Sequence, residues 1–144
     1  MKKIHQISRS AEFESLAILR EFIDVACQSQ TGIDDEIRYD LKLAVDEACT
    51  NIITHGYAGM NPGSIIFTLE LDEHQVLMTI TDFGHSFEPS QAVVPDVEAA
   101  LEDRPMGGFG LYFIYQTMDS VDYEANECGN RLTLLKHLRK PVKG

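Results

Sequence analysis

The chain has 144 residues, 44% of them hydrophobic, and 23 Asp and Glu against 12 Lys and Arg give it a formal charge of −11. That length suits a single domain, 1–144, burying roughly 70% of the surface its unfolded chain would expose, with no need of a disulfide or metal staple. The acidity disfavours the phosphate backbone of nucleic acid and an anionic membrane surface, and no apolar run approaches the ~20 residues of a membrane helix.

From the N-terminus, Met1 to Gln6 carries Lys2 and Lys3 but no apolar stretch behind them, so it does not read as a signal peptide. Lys3 to Ser8 can form a short strand through Ile4 and Ile7. A helix is expected from about Ser10, whose hydroxyl can cap it, to Gly32, with Phe13, Leu16, Ala17, Phe22, Ile23, Ala26 and Cys27 at helical spacing. A second helix is expected from about Asp34 to His55, ended by Gly56, with Ile37, Leu41, Ala44, Val45, Ala48 and Ile52 as its apolar stripe.

After a turn-rich stretch from Tyr57 to Gly63 the period changes to two. Ser64 to Leu71 and Gln75 to Thr81 then read as a strand pair joined through Asp72-Glu73-His74. From Asp82 to Met106 the strand pattern stops, with Pro89, Pro95 and Pro105 along the way, and loops of that length are commonly functional lids. Gly108 to Met118 reads as a third helix, followed by strands at Val121 to Ala125 and Arg131 to Leu138 with Gly129-Asn130 in the turn. The order β-α-α-β-β-(loop)-α-β-β describes an α+β, two-layer sandwich with helices on one face of a sheet. The three cysteines, Cys27, Cys49 and Cys128, are odd in number and lack CxxC spacing, as expected of reduced thiols in a cytoplasmic protein; Cys27 and Cys49 fall on apolar helix faces.

Three local features could carry chemistry. Glu47, Asn51 and His55 stand at i, i+4 and i+8 on the second helix, about 60° from its apolar stripe. Such a row is either a flank whose polar tips reach water or a set of groups waiting for a partner at the edge of the core. Asp82-Phe83-Gly84 ends a strand, and serves either as a closing turn or as a place where a ligand approaches backbone. Gly107-Gly108-Phe109-Gly110 precedes a helix, where glycines serve a loop or expose N–H groups to phosphate. No P-loop, no dinucleotide-binding glycine pattern, no HExxH and no GxSxG elbow occurs, and the five histidines have no metal-ligand spacing. A cysteine nucleophile would need an electropositive site, whereas Cys49 lies beside Asp46 and Glu47.

Taken in order, these features resemble the GHKL (Bergerat) nucleotide-binding fold of gyrase, heat-shock chaperones, histidine kinases and mismatch-repair ATPases. Within it the chain is most similar to the small bacterial anti-sigma factors that are also serine/threonine protein kinases. The stretches that carry the likeness are Ala44-Val45-Asp46-Glu47-Ala48-Cys49-Thr50-Asn51 with His55-Gly56-Tyr57, then Asp82 to Pro89, then Gly107 to Leu111; Asp119 to Tyr123, Gly129-Asn130 and the strand with Lys136 also fit. The likeness spans nearly the whole chain. It departs at Ser86, where the wider superfamily has a second glycine, which points to a different lid hinge.

The resemblance implies a mostly antiparallel mixed sheet with helices on one face, and ATP and Mg²⁺ as the bound groups. It makes Glu47 the general base toward a protein hydroxyl and Asn51 the Mg²⁺ ligand. Asp82 would accept a hydrogen bond from the adenine amine, with Gly84 leaving room beside the base. Gly108, Gly110 and Leu111 would open the helix that receives the phosphates, and about 85–106 would be the ATP lid. Phosphoryl transfer uses these parts: charge neutralisation by a metal, an oriented oxygen nucleophile and a carboxylate to take its proton. The implied partners are a STAS-type anti-sigma antagonist, phosphorylated on Ser or Thr, a sigma factor and a second copy of the chain, with no direct contact to nucleic acid or membrane. A role for His55 does not follow. The alternatives are the same fold used as a nucleotide-binding regulatory module without kinase activity, against which Glu47 argues, and a sensor histidine kinase domain, for which no phospho-acceptor helix pair is present.

Overall fold

In the first strand, β1 (Lys3–Ser10), all eight residues pair antiparallel with β2 (Ser64–Leu71). The computed structural model describes residues 2–86 and 108–138, with backbone alone at 108–112. Helices α1 (Glu14–Gln28) and α2 (Asp35–Asn51) follow β1, α3 (Gly108–Thr117) follows β3 (Gln75–Asp82), and the chain continues through β4 (Ser120–Asn126) and β5 (Gly129–His137). The sheet order is β1-β2-β3-β5-β4 and every pairing described is antiparallel. β5 therefore inserts between β3 and β4, and its first residues lie beside the last of β3, with Asn130 opposite Asp82.

Alternation along the strands builds the core. Ile65, Phe67, Leu69 and Leu71 of β2 and Val76, Met78 and Ile80 of β3 are buried on the helix side, as are Leu132 and Leu134 of β5. Asp82 continues that same face, so the strand delivers a carboxylate where the pattern would place another apolar side chain. The opposite face carries Ile66, Thr68, Leu77, Thr79, Thr133 and Leu135, all half-buried.

α1 begins later than expected. Ser10 is the last residue of β1 rather than a helix cap, because strand pairing runs on to Ser10↔Ser64, and its carbonyl accepts from the buried Ser15 hydroxyl. The helix phase follows Leu19, Ile23, Ala26 and Cys27, so Leu19 is fully buried while Phe13 and Ala17 are exposed. α2 matches its pattern more closely. Asp34 caps it by accepting from the Ile37 N–H at 2.8 Å, and Ile37, Leu41, Ala44, Val45, Ala48 and Cys49 are buried. Cys27 and Cys49 are buried thiols pushed up to about 11 and about 12, chiefly by burial, which keeps them protonated and inert; Cys128 is exposed. Among the described residues, no helix is long and apolar enough to cross a membrane.

Candidate functional site

α2 does not end at Asn51. It runs directly into one π-helical turn, Ile52–Gly56, where the wider spacing of backbone bonds breaks the 3.6-residue register. The expected row of three therefore divides. Glu47 and Asn51 remain one turn apart on regular α-helix and are half-buried, whereas His55 lies within the π turn and is exposed. Burial pushes the Glu47 carboxyl above the usual carboxylate range, and the neighbouring Asp46 carboxylate adds to the shift. Arg20 of α1 holds Asp46, its Nη1 donating to both carboxylate oxygens at 2.9 Å. The Asn51 Nδ2 is buried and finds no hydrogen-bond partner among the described residues. An orphaned amide one turn from a desolvated carboxylate is costly in a folded chain unless a ligand completes it.

The end of β3 is tied to the π turn and to β5. The Asp82 Oδ1 accepts from the Gly84 N–H at 2.9 Å and from the Asn130 Nδ2 at 3.0 Å, both residues of the Asp82–Asn130 pair being buried. Gly56 sits over this carboxylate; a Cβ there would stand 3.7 Å from the Asp82 Oδ1. The Gly56 carbonyl accepts from the His85 N–H, and a Cβ on Gly84 would overlap that same carbonyl oxygen. Gly84 is thus required for two backbones to meet, a reason additional to any space it leaves beside a ligand.

Tyr57, like Asn130, is a residue of this site that spacing alone does not reveal. Its ring is buried, its hydroxyl donates to the Ser64 carbonyl at 2.8 Å and accepts from the Phe83 N–H at 2.9 Å. Burial raises its phenol, keeping the proton that this bridge needs. Gly63 makes room, since a Cβ there would come within 2.6 Å of the Tyr57 ring. The signal available in the sequence is a tyrosine directly after the helix stop, whose O–H must find a partner if the ring is buried.

Gly108, Gly110 and Leu111 lie in the first turn of α3. The opposite end of α3 is held by Lys136, whose Nζ donates to the Thr117 carbonyl at 2.6 Å and pairs with Asp40 of α2 at 3.6 Å. Of the expected lid, about 85–106, His85 and Ser86 are described and 87–106 lie outside the described residues. His85 Nε2 lies 3.2 Å from the Ala58 carbonyl, so the segment leaves β3 fastened to the stretch after the π turn.

With this geometry in view, the comparisons with known proteins are specific. The profile of the histidine kinase-like ATPase domain matches residues 9–136. The serine/threonine-protein kinase BtrW of Bordetella bronchiseptica is 34% identical over 101 residues, covering 70% of this chain and 71% of that protein. The serine-protein kinase RsbW of Halalkalibacterium halodurans is 31% identical over 130 residues, covering 83% and 78%. Among solved structures, the RsbU and RsbW domains of a Mycobacterium tuberculosis protein superimpose with a TM-score of 0.70 at 18% identity. They cover 96% of this chain, which spans only 33% of that one. The Acinetobacter baumannii histidine kinase AdeS follows at a TM-score of 0.52 and 12% identity, covering 94% and 70%. These two share the fold.

Proposed function

The chain belongs to the histidine kinase-like ATPase family and, within it, to the serine-protein kinases, and we propose that it moves the terminal phosphoryl group of ATP to a serine or threonine of a STAS-type anti-sigma antagonist and also sequesters a sigma factor. The observation that carries this reading is the half-buried Glu47 one turn before Asn51, whose buried Nδ2 has no partner among the described residues, on a helix that runs through the π turn to Gly56, which sits over the buried, doubly hydrogen-bonded Asp82.

In this reading residues 1–144 form one catalytic unit with a lid at about 85–106. Asp82 accepts from the adenine amine. The backbone at Gly108, Gly110 and Leu111 offers N–H groups to phosphate at a helix start. Glu47 accepts the proton of the incoming hydroxyl, with the carboxyl raised above the usual carboxylate range by burial and by Asp46, the direction that strengthens a general base. Asn51 fits a magnesium ion through its amide oxygen, a hard donor of the kind the ion takes, while its buried Nδ2, which has no partner among the described residues, is a hydrogen-bond donor suited to an acceptor such as a phosphate oxygen. When bound, magnesium neutralises charge building on the phosphates. Thermal-shift and calorimetric titrations with ATP and ADP, with and without Mg²⁺, test the site. The protein is expected to be stabilised by nucleotide, and Asn51→Ala to lose the difference that Mg²⁺ makes. No stabilisation at millimolar nucleotide would overturn the reading.

The charge of −11 has a use in this setting. The DNA-binding surface of a sigma factor is basic, and an acidic partner is steered toward it. Capture of a sigma factor is expected to weaken as salt rises; capture insensitive to salt would remove the electrostatic part of the reading. The same charge opposes self-association except where it is locally absent. The outer sheet face centred on Ile66, Thr68, Leu77, Thr79, Thr133 and Leu135 is such a place, and it is the proposed homodimer contact. Light scattering is expected to give twice the chain mass, and Leu77→Glu to return a monomer; a wild-type monomer at all concentrations would rule the contact out. Two inert buried thiols and the reduced third fit a cytoplasmic protein.

A further inference from the structure

We infer that Asn130 is a positioning residue that sets base selectivity, by occupying one oxygen of Asp82 and so fixing how the other, an acceptor, faces a purine ring. This rests on the reading of Asp82 as the base-binding carboxylate.

The side-chain amide of Asn130 has two hydrogens, and the structure uses both. Nδ2 stands 3.0 Å from the Asp82 Oδ1 and 2.9 Å from the Gly84 carbonyl, with the His85 carbonyl at 3.5 Å. Together with the Gly84 N–H at 2.9 Å, this gives the Asp82 Oδ1 two donors, while Oδ2 has none among the described residues. Oδ1 is therefore spent inside the protein and Oδ2 is the acceptor left for a ligand. Asn130 reaches this position because β5 pairs with β3 in the register Asp82↔Asn130, and because both residues are buried. The turn before it is built for the approach: Gly129 has φ +125°, and a Cβ there would fall 2.9 Å from the Asp82 carbonyl oxygen.

A fixed carboxylate oxygen is an acceptor only. It complements an exocyclic amine at the six-position of the purine and opposes a keto oxygen there. Without Asn130 the carboxylate is held by the Gly84 N–H alone and turns more readily about its last torsion, the Gly84 carbonyl loses its side-chain donor, and the contrast between the two purines blurs. A site whose buried polar groups are all held in place discriminates most strongly, because the wrong ligand leaves one of them unpaired.

The test is calorimetric titration of the full chain with ADP and with GDP, for the wild type, Asn130→Ala and Asn130→Asp, between pH 5.5 and 8. The wild type is expected to prefer ADP at every pH. Asn130→Ala is expected to lower the ADP-to-GDP preference about tenfold, the size of one lost hydrogen bond to a charged group. Asn130→Asp keeps the shape but places a second carboxylate against Asp82. Such a pair shares one proton at lower pH, which restores a donor to Asp82, and loses it at higher pH. Its preference for ADP should therefore be weak at pH 8 and recover as the pH falls, a behaviour that loss of packing would not produce. An unchanged preference in Asn130→Ala, or a pH-independent one in Asn130→Asp, would overturn the role of Asn130 while leaving the nucleotide site standing. A wild type that binds neither nucleotide would overturn the site and this inference together.

Discussion

Glu47→Ala is expected to cut phosphoryl transfer to a protein substrate by about 10²–10⁴-fold, the usual contribution of a positioned general base. Nucleotide affinity should stay within about twofold of the parent, because an interaction made only in the transition state leaves ground-state binding intact. The side chain sits half-buried on regular helix, and Ala is the best helix former, so the substitution leaves α2 in place. The pH profile adds a second readout. Burial, with Asp46 second, raises the Glu47 carboxyl, and only its ionised form accepts a proton. The rate should therefore fall as pH drops through that raised value, on an acid limb above the range of an ordinary glutamate, and Glu47→Gln should abolish limb and rate together. A Glu47→Ala protein that phosphorylates its substrate at the parent rate would remove the general-base role.

Much of the fold was legible because its periodicities are clean. The strand read at Ser64 to Leu71 has the bounds of β2, since alternate residues are buried on one face along its whole length. Asp34 caps α2 as its side chain allows, and the apolar stripe of that helix is the buried one. α1 was harder, because Phe13 and Ala17 also fit a 3.6-residue spacing; only packing against the sheet selects the phase in which Leu19 and Ile23 are fully buried. The π turn left no mark at all in the pattern of Ile52 to Gly56, and it takes His55 out of line with Glu47 and Asn51.

The site divides in the same way. Glu47, Asn51 and Asp82 were visible as residues because each is polar at the edge of an apolar pattern. What surrounds Asp82 was not visible, because it depends on pairings distant in sequence. Asn130 reads as a turn residue after Gly129 until β5 is known to lie beside β3 and not outside β4. Tyr57 reads as a loop aromatic until its hydroxyl is seen between Ser64 and Phe83. Local spacing reports the chemistry a side chain could perform, and sheet order decides which side chains hold it still.

That division bears on the second large effect expected, in Asp82→Asn. The variant is isosteric, and two donors, the Gly84 N–H and the Asn130 Nδ2, face the position of Oδ1. The new amide must turn its oxygen toward them, so its NH₂ takes the place of Oδ2. An adenine amine would then meet a donor instead of an acceptor. ADP affinity is expected to fall roughly 10- to 100-fold, which corresponds to the ~1.5–3 kcal/mol of a hydrogen bond to a charged group, and the ratio of GDP to ADP binding should rise. Asp82→Ala should lose ADP as well, but it also strands one hydrogen of the buried Asn130 amide and the Gly84 N–H and so lowers the melting temperature, whereas Asp82→Asn keeps both partnered. Measuring melting temperature and both affinities in the two variants separates recognition from stability. If Asp82→Asn bound ADP as the parent does, the acceptor at this strand end would not be reading the base, and its two internal donors would mark it instead as a purely structural join between β3, β5 and the π turn.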